Sequence, residues 1–128
     1  MQLSAIGQIS RGVGDIAEAV TFFSDVVGLK HLYTFGELAF FDCDGTRLYL
    51  QQRAKPSPDE SVLYFQVSDI VTAHADLLGR GASFVHPPQM IHRHADGTEE
   101  WMAFFNDPDG RPLAVMAQTR PPPDLAKL

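Results

Sequence analysis

The sequence predicts an α+β fold made of two successive β-α-β-β-β modules, chiefly because it contains an internal repeat. Ala39-Phe40-Phe41 recurs as Ala103-Phe104-Phe105, and each copy is followed by an Asp-Gly pair and a second apolar run. Upstream, Val13-Gly14-Asp15-Ile16 recurs as Val67-Ser68-Asp69-Ile70. The copies are 54 residues apart at the helix starts, 64 at the paired phenylalanines and 65 at the glycines of the Asp-Gly pairs. Such a repeat constrains the architecture, because each copy predicts the structure of the other.

The first module, about residues 4–52, opens with a strand and a helix. Residues 4–11 alternate loosely between apolar and polar side chains, as in a strand. Asp15 is a good helix N-cap, and Glu18 follows three residues later, as in a capping box. Gly28 can adopt the left-handed conformation that ends a helix. These signals predict a helix between Asp15 and Gly28.

Three strands and a linker complete the first module. Asp44-Gly45 lies between two apolar runs, which is a strong signal for a hairpin turn. The segment 53–60 contains Pro56 and Pro58 and predicts a linker. The predicted strands lie at about residues 31–35, 38–43 and 46–51.

The second module, about residues 61–118, repeats this order. A strand is predicted near 61–67. It precedes a helix that begins at Ser68 or Asp69 and ends near Arg80, because apolar residues recur there at helical spacing. Three further strands follow.

Both predicted sheets have apolar side chains on both faces. The helix of a β-α-β-β-β module covers one face of its sheet. Leu38-Ala39-Phe40-Phe41 and Met102-Ala103-Phe104-Phe105 nevertheless present apolar side chains to both faces. The second face must therefore meet the other module, another chain or a ligand. Two modules with helices outside and a curved mixed sheet inside would surround a cavity, where we expect the function to lie.

Composition limits the class of protein. The 128 residues suffice for a single domain with a real core, predicted over residues 1–120, with a Pro-rich, extended and mobile tail at 119–128. A net charge of −6 argues against a nucleic-acid partner. Cys43 is the only cysteine, so no intrachain disulfide can form and a reducing compartment fits. We find neither a signal-peptide pattern nor a membrane-spanning apolar run, and we expect a cytoplasmic protein without a membrane partner.

The paired modules resemble the vicinal oxygen chelate superfamily, the group of glyoxalase I, bleomycin-resistance proteins, extradiol dioxygenases and methylmalonyl-CoA epimerase. The resemblance covers about residues 4–118. It is carried by Val13-Gly14-Asp15-Ile16 at the first helix and by Asp107-Pro108-Asp109-Gly110-Arg111 before the last strand. It implies the fold of these proteins and a homodimer. It is much less specific for activity, because one fold can host many functions.

Metalloenzymes of this superfamily hold a divalent ion with side chains from the first and last strands of each module. The resemblance places these positions at Gln8 and Tyr49 in the first module and at Val62 and Ala114 in the second. Gln is found at the first position in some glyoxalases. Val62 and Ala114 have no donor atom, and neutral Tyr49 is a poor ligand. Because a catalytic metal normally needs at least three protein ligands, we expect no metal at these family positions and no cofactor there.

Period-two alternation adds the neighbours that share the cavity face with those positions. The resulting mixture of aromatic rings, amides and one guanidinium suits an organic ligand with a planar apolar body and a few polar or anionic groups. Tyr49 and Tyr64 could equally do no more than fill the space that a metal site leaves. The predicted ligand-binding residues on this face are Gln8, Ser10, Arg47, Tyr49, Gln51, Tyr64, Gln66 and Met116.

An insertion in the second module is a second candidate region. The offset between the copies grows by ten residues between the helix start and the Phe-Phe strand. We therefore predict a long hairpin within residues 85–100 that the first module lacks, with Asp96-Gly97 at its tip. As a flap over the cavity, this hairpin would contact the ligand through His92 and Trp101.

The same hairpin carries a group of potential metal ligands. His92 and His94 would point to the same side of their strand and face Glu99 or Glu100 on the partner strand. Such a group could bind a divalent metal at a site not used by the family, or act as an acid–base pair. An exposed, charged hairpin would show the same pattern, which is loose.

These observations favour a protein that binds and sequesters a small organic ligand without a metal, similar to the bleomycin-resistance branch. The alternative is an enzyme of the same superfamily, a lyase, isomerase or dioxygenase. It would use the relocated metal or metal-free acid–base chemistry, with Tyr49, Tyr64 and His92 as candidate catalytic residues. A pure interaction module is a weaker hypothesis, because the polar groups of the predicted concave face would then have no use.

Overall fold

The computed structural model describes residues 1–120 and 123–127, which fall into two compact units, Met1–Glu60 and Ser61–Leu128. Each unit contains one four-stranded mixed sheet and one main helical segment, in the predicted order of strand, helix and three strands. Within the described ranges, no helix is both long and apolar enough to cross a membrane.

The sheet of unit 1 has the strand order β1-β4-β3-β2, with β1 parallel to β4 and the other neighbours antiparallel. The predicted first strand, 4–11, begins too early. Thr46 is the first residue of the neighbouring strand, and pairing starts at Gln8↔Arg47, so residues 4–7 have almost no strand to pair with. The strands are β1 Gln8–Val13, β2 Lys30–Phe35, β3 Leu38–Cys43 and β4 Thr46–Gln52.

The helical segment of unit 1 begins and ends where the sequence predicts. Helix α1 spans Ile16–Thr21, and the Asp15 carboxylate accepts a hydrogen bond from the backbone N–H of Glu18 at 2.9 Å. A π-helical segment, Phe22–Val27, follows directly and ends at Gly28, whose φ of 85° is the left-handed conformation.

Unit 2 repeats this arrangement with the strand order β5-β8-β7-β6. Helix α2, Ile70–Gly79, begins at Asp69, whose carboxylate accepts hydrogen bonds from the N–H groups of Val71 and Thr72 at 3.1 and 3.2 Å. Asp69, rather than Ser68, is therefore the N-cap. The first strand is three residues long, shorter than the predicted 61–67. The strands are β5 Tyr64–Gln66, β6 Gln89–Arg93, β7 Glu99–Asn106 and β8 Pro112–Thr119.

The β6–β7 hairpin corrects one prediction. It holds the same place in its sheet as the β2–β3 hairpin holds in unit 1, so it is a longer version of that hairpin and not an additional one. Its turn spans residues 94–98, against the two residues Gly36-Glu37 in unit 1. The tip lies at Asp96-Gly97 as predicted, with Gly97 at a φ of 91° and the His94 N–H donating to the Thr98 carbonyl at 2.8 Å.

The predicted tail, 119–128, is only partly described. Strand β8 includes Thr119, and Leu125–Lys127 forms a short 3₁₀ turn, which differs from the extended chain that we expected. Pro121, Pro122 and Leu128 lie outside the described residues.

Each sheet buries one face beneath its own helix. In unit 1, Phe41 of β3 and Leu50 of β4 are fully buried, as is Phe23 of the π-helical segment. In unit 2, Phe105, Leu113 and Ile70 form the corresponding core. We call the opposite side of each sheet its open face. Because side chains alternate along a strand, the neighbours of these core residues lie on the open face.

Candidate functional site

The open face of unit 1 arranges its side chains in rows that run across the four strands, because the register pairs them directly. The middle row consists of Ser10 on β1, Tyr49 on β4, Phe40 on β3 and Tyr33 on β2. One flanking row contains Gln8, Arg47 and Asp42, and the other contains Gly12, Gln51, Leu38 and Phe35.

The three rings of the middle row form a continuous stack, which we call the aromatic row. The ring centroids of Tyr33 and Phe40 are 4.7 Å apart with an interplanar angle of 29°. Those of Phe40 and Tyr49 are also 4.7 Å apart, with an angle of only 3°. This distance matches the separation of neighbouring strands, so the rings stand side by side on the sheet. The stack provides a continuous apolar surface across three strands.

Two guanidinium groups flank the aromatic row. Arg47 Nε donates to Gln8 Oε1 at 2.6 Å, and Arg47 Cζ lies 5.2 Å from the centroid of Phe40, within cation–π distance. On the other side of the row, an Arg53 terminal nitrogen donates to Gln51 Oε1 at 3.0 Å. Arg53 is the first residue after β4. The open face of unit 1 therefore combines aromatic, amide and cationic groups.

The open face of unit 2 is smaller and more apolar. Tyr64 and Gln66 on β5 pair with Ala114 and Met116 on β8, so these four predicted residues share one face. The ring of Tyr64 contacts Phe104 edge-on at a centroid distance of 5.8 Å. The fifth residue predicted for this region, Val62, precedes β5 and lies outside the strand.

The hairpin of unit 2 places three of the four proposed metal ligands together. His94 Nε2 lies 2.7 Å from Glu100 Oε2, and Gln118 Nε2 donates to the same oxygen at 2.9 Å. The rings of His92 and His94 are 4.7 Å apart. The hydrogen bond from His94, followed by that from Gln118, lowers the pKa of the Glu100 carboxyl.

Glu99, by contrast, belongs to the buried side of the same sheet. Its carboxylate is only 2% exposed and accepts hydrogen bonds from Trp101 Nε1 at 2.9 Å and from Arg93 Nε and a terminal nitrogen at 2.9 and 2.6 Å. The bonds from Trp101 and then Arg93 lower the Glu99 pKa. Trp101 is 6% exposed and lies on this buried side, so the structure does not bring it to the open face with His92.

The donor groups do not fit the divalent ion that the family resemblance implies. Gln8 Oε1 accepts from Arg47, Tyr49 is stacked on Phe40, and Val62 and Ala114 have no donor atom. Across residues 1–120 and 123–127, no group of three or more His, Cys, Asp or Glu side chains is arranged to hold a metal ion, and this includes the neighbouring His92, His94 and Glu100.

Sequence reasoning missed three residues of the unit 1 site, namely Phe40, Tyr33 and Arg53. Alternation along β4 from Tyr49 through Gln51 extends to Arg53, although the prolines of segment 53–60 predict a linker there. Phe40 and Tyr33 become recognisable as site residues only once the cross-strand pairing is known.

Residues 5–115 match the family model of the Glyoxalase/Bleomycin resistance protein/Dioxygenase superfamily. The chain belongs to this superfamily, and the predicted α+β fold is confirmed. No curated protein matches the sequence.

Solved structures of several proteins share this fold. A virulence protein from Salmonella typhimurium has a TM-score of 0.74 at 21% identity, with 93% of this chain and 100% of the other covered. Lactoylglutathione lyase from Agrobacterium tumefaciens has a TM-score of 0.71 at 22% identity, with 91% and 95% covered. A glyoxalase/bleomycin resistance protein/dioxygenase from Nocardioides has a TM-score of 0.71 at 19% identity, with 96% and 89% covered. At these identities the likeness establishes the fold alone.

Proposed function

We propose that this protein binds and sequesters a small organic ligand on the open face of unit 1, without a metal at the family positions. The observation that carries the proposal is the aromatic row flanked by Arg47 and Arg53. A broad apolar surface with a few fixed polar groups is typical of ligand sites. A stack that served only to fill space would not need cationic groups held on both sides.

Ligand-induced stabilisation tests this proposal. A compound that binds the folded protein raises its free energy of unfolding, by about 2.7 kcal/mol at a hundredfold excess over Kd. We expect thermal melting against a compound collection to identify stabilising compounds. Their effect should disappear in Tyr49→Leu and Arg47→Ala and persist in Arg80→Ala, which removes an exposed arginine from the end of α2. Stabilisation that is unchanged in the first two variants would contradict the proposed site.

An acid–base enzyme is the second candidate function, and the His94–Glu100–Gln118 cluster supports it. A carboxylate that accepts the Nε2–H of His94 would leave Nδ1 of that ring as a proton acceptor. The test is to incubate each stabilising compound with the protein and to analyse it by mass spectrometry. If the protein converts a compound and Glu100→Gln abolishes this conversion, the function is catalysis and not sequestration.

We further propose a cytoplasmic homodimer. The single cysteine suits a reducing compartment, and dimers are the commonest assembly of soluble proteins. Sedimentation equilibrium at micromolar concentration should give twice the chain mass of 14.1 kDa, and a monomer mass would refute this assembly.

A further inference from the structure

We infer that the ligand carries a planar aromatic ring with an anionic substituent, and that this ring occupies a fourth place in the aromatic row, over Ser10. The inference rests on the proposed function, because it specifies the ligand class and the position for the same open face.

The aromatic row spans only three of the four strands of the sheet. It runs through Tyr33, Phe40 and Tyr49 on three neighbouring strands, and the register places Ser10 at the corresponding position of β1. Ser10 is exposed although it lies in the middle of its strand. Among the described residues, Phe40 is the one ring that stacks on Tyr49. The other face of the Tyr49 ring therefore points toward β1, where the small side chain of Ser10 leaves the width of one strand for a further ring.

Arg53 lies beside this fourth place because Gly12 leaves room for it. A Cβ atom added at Gly12 would lie 3.0 Å from Arg53 Cδ and 3.3 Å from its Nε. Any other residue at position 12 would push the arginine side chain aside. The glycine thus allows the stem of Arg53 to lie over β1 at position 12, two residues along the strand from Ser10, while its terminal nitrogen donates to Gln51 on β4.

The charges around the fourth place favour an anion. Arg53 lies on one side, and Arg47 with Gln8 on the other. Two carboxylates adjoin these groups. Glu60 Oε2 accepts a long hydrogen bond from the Gly12 N–H at 3.4 Å, and Asp42 lies opposite Arg47 in the strand register and accepts from the Gly45 N–H. Asp42 lies two strands away from Ser10, so two guanidinium groups face one carboxylate at this position. This local excess of positive charge occurs in a chain of net charge −6.

These groups recognise two chemical features together. The face of Tyr49 favours a flat ring in an offset stack, and a guanidinium fork matches the two oxygens of a carboxylate. The simplest ligand with both features is an aromatic carboxylate.

The probe is 2-naphthoate, followed by its own fluorescence in a titration with the full chain. We compare it with neutral 2-naphthamide and with the non-planar decahydro-2-naphthoate. We expect each analogue to bind about tenfold more weakly or worse, since each loses one of the two interactions.

Two variants with matched controls locate the binding position. Ser10→Phe fills the fourth place with the protein's own ring, so we expect naphthoate to bind at least about tenfold more weakly. Its Tm should equal or exceed that of the wild type, because a cross-strand aromatic pair stabilises a sheet. Ser4→Phe adds the same ring outside the sheet and should bind like the wild type. Arg53→Gln should weaken binding and reduce its salt dependence, whereas Lys55→Gln, two residues later, should change neither.

The outcomes separate this inference from the proposed function. Equal binding of naphthoate and naphthamide, or wild-type binding by Ser10→Phe, would overturn the inference. If naphthoate does not bind but other compounds stabilise the protein through Tyr49 and Arg47, the ligand class is wrong and the proposed function stands. Loss of naphthoate binding in both Ser10→Phe and Arg53→Gln, with both controls unchanged, supports the inference.

Discussion

Asp107 and Arg111 form a buried ion pair that closes the turn before β8. Asp107 Oδ2 accepts from Arg111 Nε at 3.0 Å, and its other oxygen accepts from the N–H groups of Asp109 and Arg111 at 2.9 and 2.8 Å. Replacing Asp107 by Ala leaves the Arg111 guanidinium buried without this partner. We expect the free energy of unfolding to fall by about 3–5 kcal/mol, measured by urea denaturation.

Asp109→Asn is the matched control for Asp107→Ala in the urea denaturation experiment. Its carboxylate lies 3.5 Å from a terminal nitrogen of Arg111 and its side chain is 22% exposed. We expect a loss below about 1 kcal/mol for such a partly solvated contact. Similar losses for the two variants would show that the turn depends on general charge and not on the Asp107 hydrogen bonds.

Cys43 lies in an environment that suppresses thiolate formation. Burial, followed by the charges of Asp42 and Asp44, raises the pKa of its thiol. We expect iodoacetamide to alkylate Cys43 at pH 8 more slowly than the thiol of the urea-unfolded chain. Asp44→Asn should increase the rate in the folded protein, since it removes one negative charge and Asn tolerates the φ of 48° at this position. A folded-state rate above that of the unfolded chain would contradict this description.

At the level of elements, the β6–β7 hairpin carries one anionic carboxylate on each face. Hydrogen bonds lower the pKa of Glu99 and of Glu100 below the ordinary value of 4.5. A group with a lowered folded-state pKa stabilises the fold above its unfolded-state pKa, and this contribution is lost as the pH falls through the folded-state value. We therefore expect the hairpin amides to exchange hydrogen faster as the pH falls below about 4.5, after correction for intrinsic rates.

The variant Glu99→Gln isolates the contribution of the buried Glu99 carboxylate to the pH dependence of stability. This variant should be less stable than the wild type at pH 7, and its free energy of unfolding should depend less on pH between 5 and 3, because the titrating group is gone. Glu37→Gln, in the exposed turn between β2 and β3, should keep the wild-type pH profile. An unchanged profile in Glu99→Gln would show that other groups dominate the acid sensitivity.

The helices, strands and turns also show which structural features could be predicted from the sequence. Helix starts and turns depend on local chemistry. Asp15 and Gly97 act as predicted, and Asp69 is the N-cap of the two predicted candidates, Ser68 and Asp69. Alternation along β4 placed Arg47, Tyr49 and Gln51 on one face. Alternation along β7 is unbroken and places Trp101 on the buried side with Ala103 and Phe105. The sequence did not reveal the irregularity of β6 between Met90 and His92, which places His92 opposite Glu100. The aromatic row depends on pairing between strands, which no single segment of sequence contains.

For the whole molecule, one prediction follows from the superfamily fold and from the residue types at the positions that the resemblance assigns to a metal. The fold is that of the superfamily, yet two of the four family positions have no donor atom. Zn²⁺, Ni²⁺ or Mn²⁺ at a hundredfold excess over a functional Kd would stabilise the protein by about 2.7 kcal/mol, or about 10 °C in Tm. We expect no such shift from any of these ions, and no loss of stability in the presence of EDTA.

The hairpin histidines provide the control for this experiment. Metal content is measured on the purified protein and on His92→Ala, which leaves every family position intact. A stoichiometric divalent ion that is present in the wild type and absent from His92→Ala would place a metal at the hairpin, and it would overturn metal-independent sequestration. A stoichiometric ion retained in His92→Ala and lost in Gln8→Ala would instead show that the open face of unit 1 binds metal through Gln8. Substoichiometric metal that both variants retain would leave the aromatic row with Arg47 and Arg53 as the recognition surface.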